Sequence, residues 1–109
     1  MAKTIRINYE GAEYTLEFTR RSIETMERKG FVITDLEDKP MSTLPALFAG
    51  AFLAHHRFVK KEVIDSIFKK LTNKEEFLQK LAEMYSEPLE ALMEEPEESE
   101  GNLTWGASW

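Results

Sequence analysis

Two adjacent histidines, His55 and His56, are the side chains best suited to general-base or metal chemistry in this 109-residue sequence. Neighbours on a helix diverge by about 100°, so the two imidazoles do not readily share one ion. A helical metal pair wants i, i+4 spacing, and the positions four further on are Val59 and Lys60. The histidines therefore read as end-of-helix residues meeting the helix dipole or solvent. Glu62 and Asp65 lie about one helical turn apart, and Lys61 and Lys69 are at hand for ordinary salt bridges. Ser22, Ser42, Ser66 and Ser86 lack a nucleophile-elbow context, and no Gly-rich phosphate loop occurs. There is no cysteine, which excludes disulfides, thiolate catalysis and cysteine-based zinc sites. With no convergent nucleophile, base and oxyanion donor, the expectation is a non-enzyme without catalytic residues, metal or cofactor.

Phosphate recognition is the other chemistry to weigh. Arg57, Lys60, Lys61, Lys69, Lys70, Lys74 and Lys80 stand against Glu62, Asp65, Glu75 and Glu76. Short helices over residues 57–80 could imitate a helix-turn-helix and bind nucleic acid. The lysines, however, are spaced as the solvated face of amphipathic helices, and the whole chain carries a net charge of −6. Proteins that depend on phosphate contacts usually carry a basic excess, so nucleic acid is not the expected partner.

The acidity is not spread evenly. Residues 83–109 hold eight glutamates and no Lys or Arg, whereas residues 1–82 hold all 14 bases against twelve acids. Such asymmetry marks an interaction tail on a nearly neutral body. The tail ends "EEPEESEGNLTWGASW" and contains both tryptophans of the protein, Trp105 and Trp109. Glutamate repulsion extends the spacer, and Gly101 and Gly106 leave the end adaptable. Leu103, Trp105 and Trp109 are thus candidate recognition anchors, either for a partner or for the chain's own apolar surface.

The elements that position these groups follow from periodicity. Ile5, Ile7 and Tyr9 share one face, as do Tyr14, Leu16 and Phe18, and Glu10-Gly11 between them suits a tight turn. This predicts an N-terminal antiparallel hairpin. Thr19 reads as the N-cap of a helix over "RRSIETMERK" that stops at Gly30. "TDLEDKP" reads as a polar loop. A central helix is expected from about Ser42 through "TLPALFAGAFLAHHR", with Pro45 in its first turn. "KKEVIDSIFKKL" predicts the next helix. "TNKE" predicts a capping box of Thr72 with Glu75 opening another, which Pro88 kinks or divides.

The expected fold is α+β and mostly helical, a hairpin followed by a bundle of four or five short helices. One globular domain spans 1–93, and a flexible acidic tail spans 94–109. Leu44, Leu47, Phe48, Phe52, Phe58 and Phe68 form an apolar helix face that mostly fills a core but could supply surplus surface for a partner or self-association. The longest apolar stretch, "LPALFAGAFLA", is far below the roughly 20 residues of a membrane span. The N-terminus alternates polar and apolar residues without a signal-like run, so an intracellular soluble protein is expected.

The stretch "IRINYEGAEYTLEFTRRSIETMERKGF", the small helical body after it and the ending "EEPEESEGNLTWGASW" resemble the tail assembly chaperones of long-tailed phages and prophages of Gram-positive bacteria. The resemblance covers nearly the whole chain. It implies a non-enzymatic protein of the host cytoplasm, made during tail morphogenesis and absent from the finished virion. It further implies binding to the tape measure protein, whose apolar helices would otherwise aggregate, and recruitment of tail tube protein subunits around it. Family members are often made in a short form and a longer, frameshifted form, and this ending would belong to the short one or lie where the extension begins. Coating a long client favours many copies, so homo-oligomerisation through helices 43–57 and 60–71 is an expectation from the client's shape.

Overall fold

The computed structural model describes residues 3–94 and 103–109. Strands β1 (Ile5–Tyr9) and β2 (Ala12–Leu16) pair antiparallel, with Ile5 opposite Leu16 and Ile7 opposite Tyr14. Glu10 (φ 50°) and Gly11 (φ 80°) make the two-residue turn. Positive φ at both central positions matches the right-handed strand twist, which is why a glycine sits there. The register places Ile5, Ile7, Tyr14 and Leu16 on the inner face, and Leu16 is fully buried.

Helix α1 (Arg20–Arg28) starts at Thr19 through a reciprocal cap. The Ser22 N–H donates to Thr19 Oγ1 (3.0 Å), and the Thr19 N–H donates to Ser22 Oγ (2.9 Å). At the other end the Gly30 N–H donates to the Glu27 carbonyl and the Phe31 N–H to the Met26 carbonyl. Gly30 takes φ 95°, the left-handed conformation this double closure requires. The expected polar loop contains a one-turn helix, α2 (Asp35–Asp38).

Helix α3 (Pro40–Gly50) departs from expectation at both ends. It begins at Pro40, whose missing N–H costs nothing at the first helical position, and Pro45 falls inside the helix, past its first turn. It stops at Gly50 because the following turn serves the hairpin instead. The Glu17 N–H donates to the Ala51 carbonyl (3.0 Å) and the Thr15 N–H donates to His56 Nε2 (2.9 Å). These N–H groups face away from β1, so residues 51–56 cover the open edge of the sheet. Gly50 lets α1 approach closely, since a Cβ there would run into the Met26 thioether.

Helix α4 (Lys61–Lys70) ends in basic residues, and Lys74 Nζ donates to the Leu71 (2.8 Å) and Lys69 (3.3 Å) carbonyls. Helix α5 (Lys74–Met93) follows after a short link. The expected Thr72–Glu75 box does not form. Asn73 is the N-cap instead, in the left-handed conformation (φ 51°), with its side-chain amide donating to Glu76. Asparagine tolerates that conformation, and it turns the chain sharply between the two helices. Pro88 does not divide α5, which runs 20 residues. The fold is thus α+β, a hairpin followed by five helices among the described residues.

Phe48 and Phe52 lie at the core's centre with Leu16, Leu47, Ile67, Leu81 and Met84. Residues 103–109 contain no helix or strand. The rest of the expected flexible tail, from 95 to 102, lies outside the described residues.

Two stability predictions arise from this packing. Tyr85 is half-buried, its ring meeting Phe18 at 5.2 Å and Phe31 at 5.9 Å. Burial, and secondarily the charge of Glu27, raise its phenol above the ordinary value of 10.0. The folded chain therefore favours the neutral phenol. Its contribution is complete below the unfolded pKa and is lost as pH rises through the folded one. The melting-temperature difference between wild type and Tyr85→Phe should be flat at neutral pH and shift against wild type above about pH 10. A difference constant across that range would contradict this.

The second concerns His56. Accepting from an N–H requires Nε2 to be unprotonated, which assigns the Nδ1–H tautomer. His56→Ala leaves the Thr15 N–H without its partner and should cost about 1–3 kcal/mol in denaturant melts. His56→Gln, whose side-chain oxygen can accept, should recover part of that loss. Equal stability of the two variants would show the bond to be unimportant.

Candidate protein-binding surface

One stripe of α5 carries Phe77, Leu78, Leu81, Met84 and Tyr85 at helical spacing, and these pack into or against the core. The stripe does not stop there. Leu89, Leu92 and Met93 continue it through the last two turns, yet they are 61%, 51% and 74% exposed. Half-buried Pro88 joins the covered part to the uncovered part. The flanks are acidic, with Glu83, Glu90 and Glu94 exposed and Glu87 half-buried, where its Oε1 accepts from the Lys3 N–H (2.9 Å).

Among the described residues, this helix end lacks the usual charge partner. The carboxyl end of a helix carries partial negative charge and is stabilised by cations. Helices α1 and α4 obey this with Arg28 and with Lys69 and Lys70, but α5 has no base in its last turn. Pro88 also deprives the helix interior of one N–H donor. Acids, an interior proline and uncovered leucines all meet within three turns.

The candidate tail anchors are also uncovered. Leu103, Trp105 and Trp109 are essentially fully solvent-exposed, so none of them docks on the body. The candidate apolar helix face divides. Leu47, Phe48 and Phe52 are each 1% exposed, so they fill the core and offer a partner no surface. The reason is positional: α3 packs against α1, α2 and α4, and the hairpin folds onto the turn that follows it. Leu44 and Phe68 are half-buried, Phe68 lying under the Lys74 ammonium and beside Phe48. Only Phe58, at 90% exposure and stacked by Arg57, stands in solvent.

The histidines hold the hairpin and do not form a reactive pair. His55 Nε2 lies 2.7 Å from Glu17 Oε1, and His56 takes the Thr15 N–H while its ring meets Tyr14 edge-on. Among the described residues no three His, Asp or Glu side chains gather as a metal site, and no helix is long and apolar enough to cross a membrane.

The match that places the chain among known sequences is to a family described as a domain of unknown function (DUF5055), and it spans residues 1–109. The chain belongs to the DUF5055 family. No curated protein and no solved structure matches it.

In this DUF5055 chain a polar cleft of about 520 Å³ lies between α1 and the turn after α3. Arg21, Arg28, Arg57 and His55 line it together with Thr19, Ser22 and Thr25. Among the described residues none of the three arginines has a carboxylate within ion-pairing distance. Of the lysines in 57–80, Lys74 caps α4 and Lys70 sits over the Tyr9 ring, so both support the fold. Sequence reasoning missed Leu89, Leu92 and Met93 as surface. Their signal is present in the unbroken i, i+3, i+4 spacing past Tyr85, across the Pro88 expected to kink or divide the helix.

Proposed function

We propose that this chain is a non-enzymatic phage tail assembly chaperone. It binds the tape measure protein, keeps it soluble and helps recruit tail tube protein subunits during tail morphogenesis in the host cytoplasm. The observation that supports this reading is the uncovered apolar stripe Leu89–Leu92–Met93, followed in the chain by exposed Leu103, Trp105 and Trp109. Exposed apolar surface rimmed by charge is what a binder of aggregation-prone helices needs, since the charge keeps the unloaded protein soluble. Leucine and methionine side chains adapt to varied client surfaces, and tryptophans add large anchoring area.

The test is co-expression with the tape measure protein of the same genome, with the full chain and with a chain lacking residues 95–109. The full chain should copurify with soluble client, and the shortened chain should hold several-fold less. Client that stays insoluble with the full chain overturns the proposal. A second reading, a small morphogenesis or regulatory protein that binds nucleic acid, is favoured by the arginine-lined cleft. A tight, steeply salt-dependent shift of duplex DNA that Arg21→Ala, Arg28→Ala and Arg57→Ala together abolish would support it instead.

A further inference from the structure

We infer that the last three turns of α5 dock a basic amphipathic helix, with Leu89, Leu92 and Met93 meeting its apolar stripe and Glu90 and Glu94 meeting flanking lysines or arginines. This rests on the proposed chaperone reading and specifies the chemistry of the client segment. The three apolar side chains lie at i, i+3 and i+4, so they share one face and present a narrow seam, the shape a second helix covers. The seam is continuous with the core through Pro88, Tyr85 and Met84, so a docked helix extends existing packing.

Charge selects the occupant. A second copy of this chain would bring its own glutamates onto Glu83, Glu90 and Glu94, because no Lys or Arg occurs after Lys80. Like charges facing each other across an interface are costly, so the seam is ill-suited to pairing with itself. A partner bearing cations beside its apolar stripe relieves three deficits at once. It neutralises the glutamates, supplies the positive charge that the α5 carboxyl end lacks, and covers the exposed leucines. Glu87 is already engaged by the Lys3 N–H, so recognition falls to the more exposed acids.

The experiment uses the full chain with labelled leucine and methionine methyls and three synthetic peptides. The first is a helix with a leucine stripe flanked by lysines, the second has glutamates in place of those lysines, and the third has the lysine sequence scrambled. The lysine-flanked helix should bind with the methyl shifts centred on Leu89, Leu92 and Met93. Glu90→Gln with Glu94→Gln should weaken it roughly fivefold or more without lowering the melting temperature, and added salt should weaken the wild-type complex.

Equal binding of the glutamate-flanked peptide overturns the charge selection. Equal binding of the scrambled peptide, or shifts centred elsewhere, overturns the helix seam. The same methyls shifting with protein concentration alone would assign the surface to a second copy. If this peptide binds as described while the tape measure protein stays insoluble on co-expression, the docking site stands and the chaperone reading fails. If the client is held soluble and no peptide prefers the seam, this inference alone fails.

Discussion

Phe48→Ala is expected to be the most damaging single substitution in the chain. Phe48 is 1% exposed and contacts Phe52 at 5.2 Å, Phe68 at 5.0 Å and Phe77 at 5.6 Å, so one ring joins α3, α4 and α5. Truncating a buried phenylalanine costs about 3–5 kcal/mol from lost transfer energy and the cavity left behind. A domain of this size typically has about 5–15 kcal/mol in total. The melting temperature should therefore fall by roughly 15 °C or more. Phe58→Ala is the matched control, since a ring 90% exposed should change stability by less than about 0.5 kcal/mol. Thermal melts of the two variants decide the matter. Similar small shifts in both would mean that Phe48 is not central to the core.

The second large effect concerns binding. Leu89→Ser, Leu92→Ser and Met93→Ser combined should leave folding nearly intact, because these side chains are mostly uncovered and little packing is lost. The loss appears in client retention. Burying an aliphatic side chain is worth about 1–3 kcal/mol, so three lost contacts at an interface centre amount to on the order of 100-fold in Kd or more. Soluble tape measure protein recovered by co-expression should drop sharply, with circular dichroism and melting temperature near wild type. Full retention of the client by the triple variant would move the binding surface elsewhere.

Local rules made much of the fold legible. Period-two alternation around Glu10-Gly11 specified the hairpin, and Thr19 and Gly30 bounded α1 because capping chemistry is local. The misses have tertiary causes. Nothing near Gly50 says that the Ala51 carbonyl and the His56 imidazole will leave the helix to serve the N–H groups of Glu17 and Thr15. The expected Thr72 cap gives way to Asn73, because the link between α4 and α5 takes a left-handed residue at position 73. The candidate site was less legible. An apolar residue on a helix face reads the same whether a neighbour covers it or not, so Leu47, Phe48 and Phe52 could not be told from Leu89, Leu92 and Met93 by spacing. Only the packed chain separates the covered half of the α5 stripe from the uncovered half. Leu103, Trp105 and Trp109 were legible as side chains outside any helix or strand because no periodic element surrounds them.

The most direct test is a photoreactive diazirine side chain placed at position 92 of the full chain during co-expression with the tape measure protein. Position 62, exposed on α4, serves as the control. The expected result is a covalent adduct between position 92 and a helical segment of the tape measure protein, with little or none from position 62. Soluble, copurifying client with no adduct at 92, or equal adducts from both positions, would contradict a client-binding surface at the end of α5.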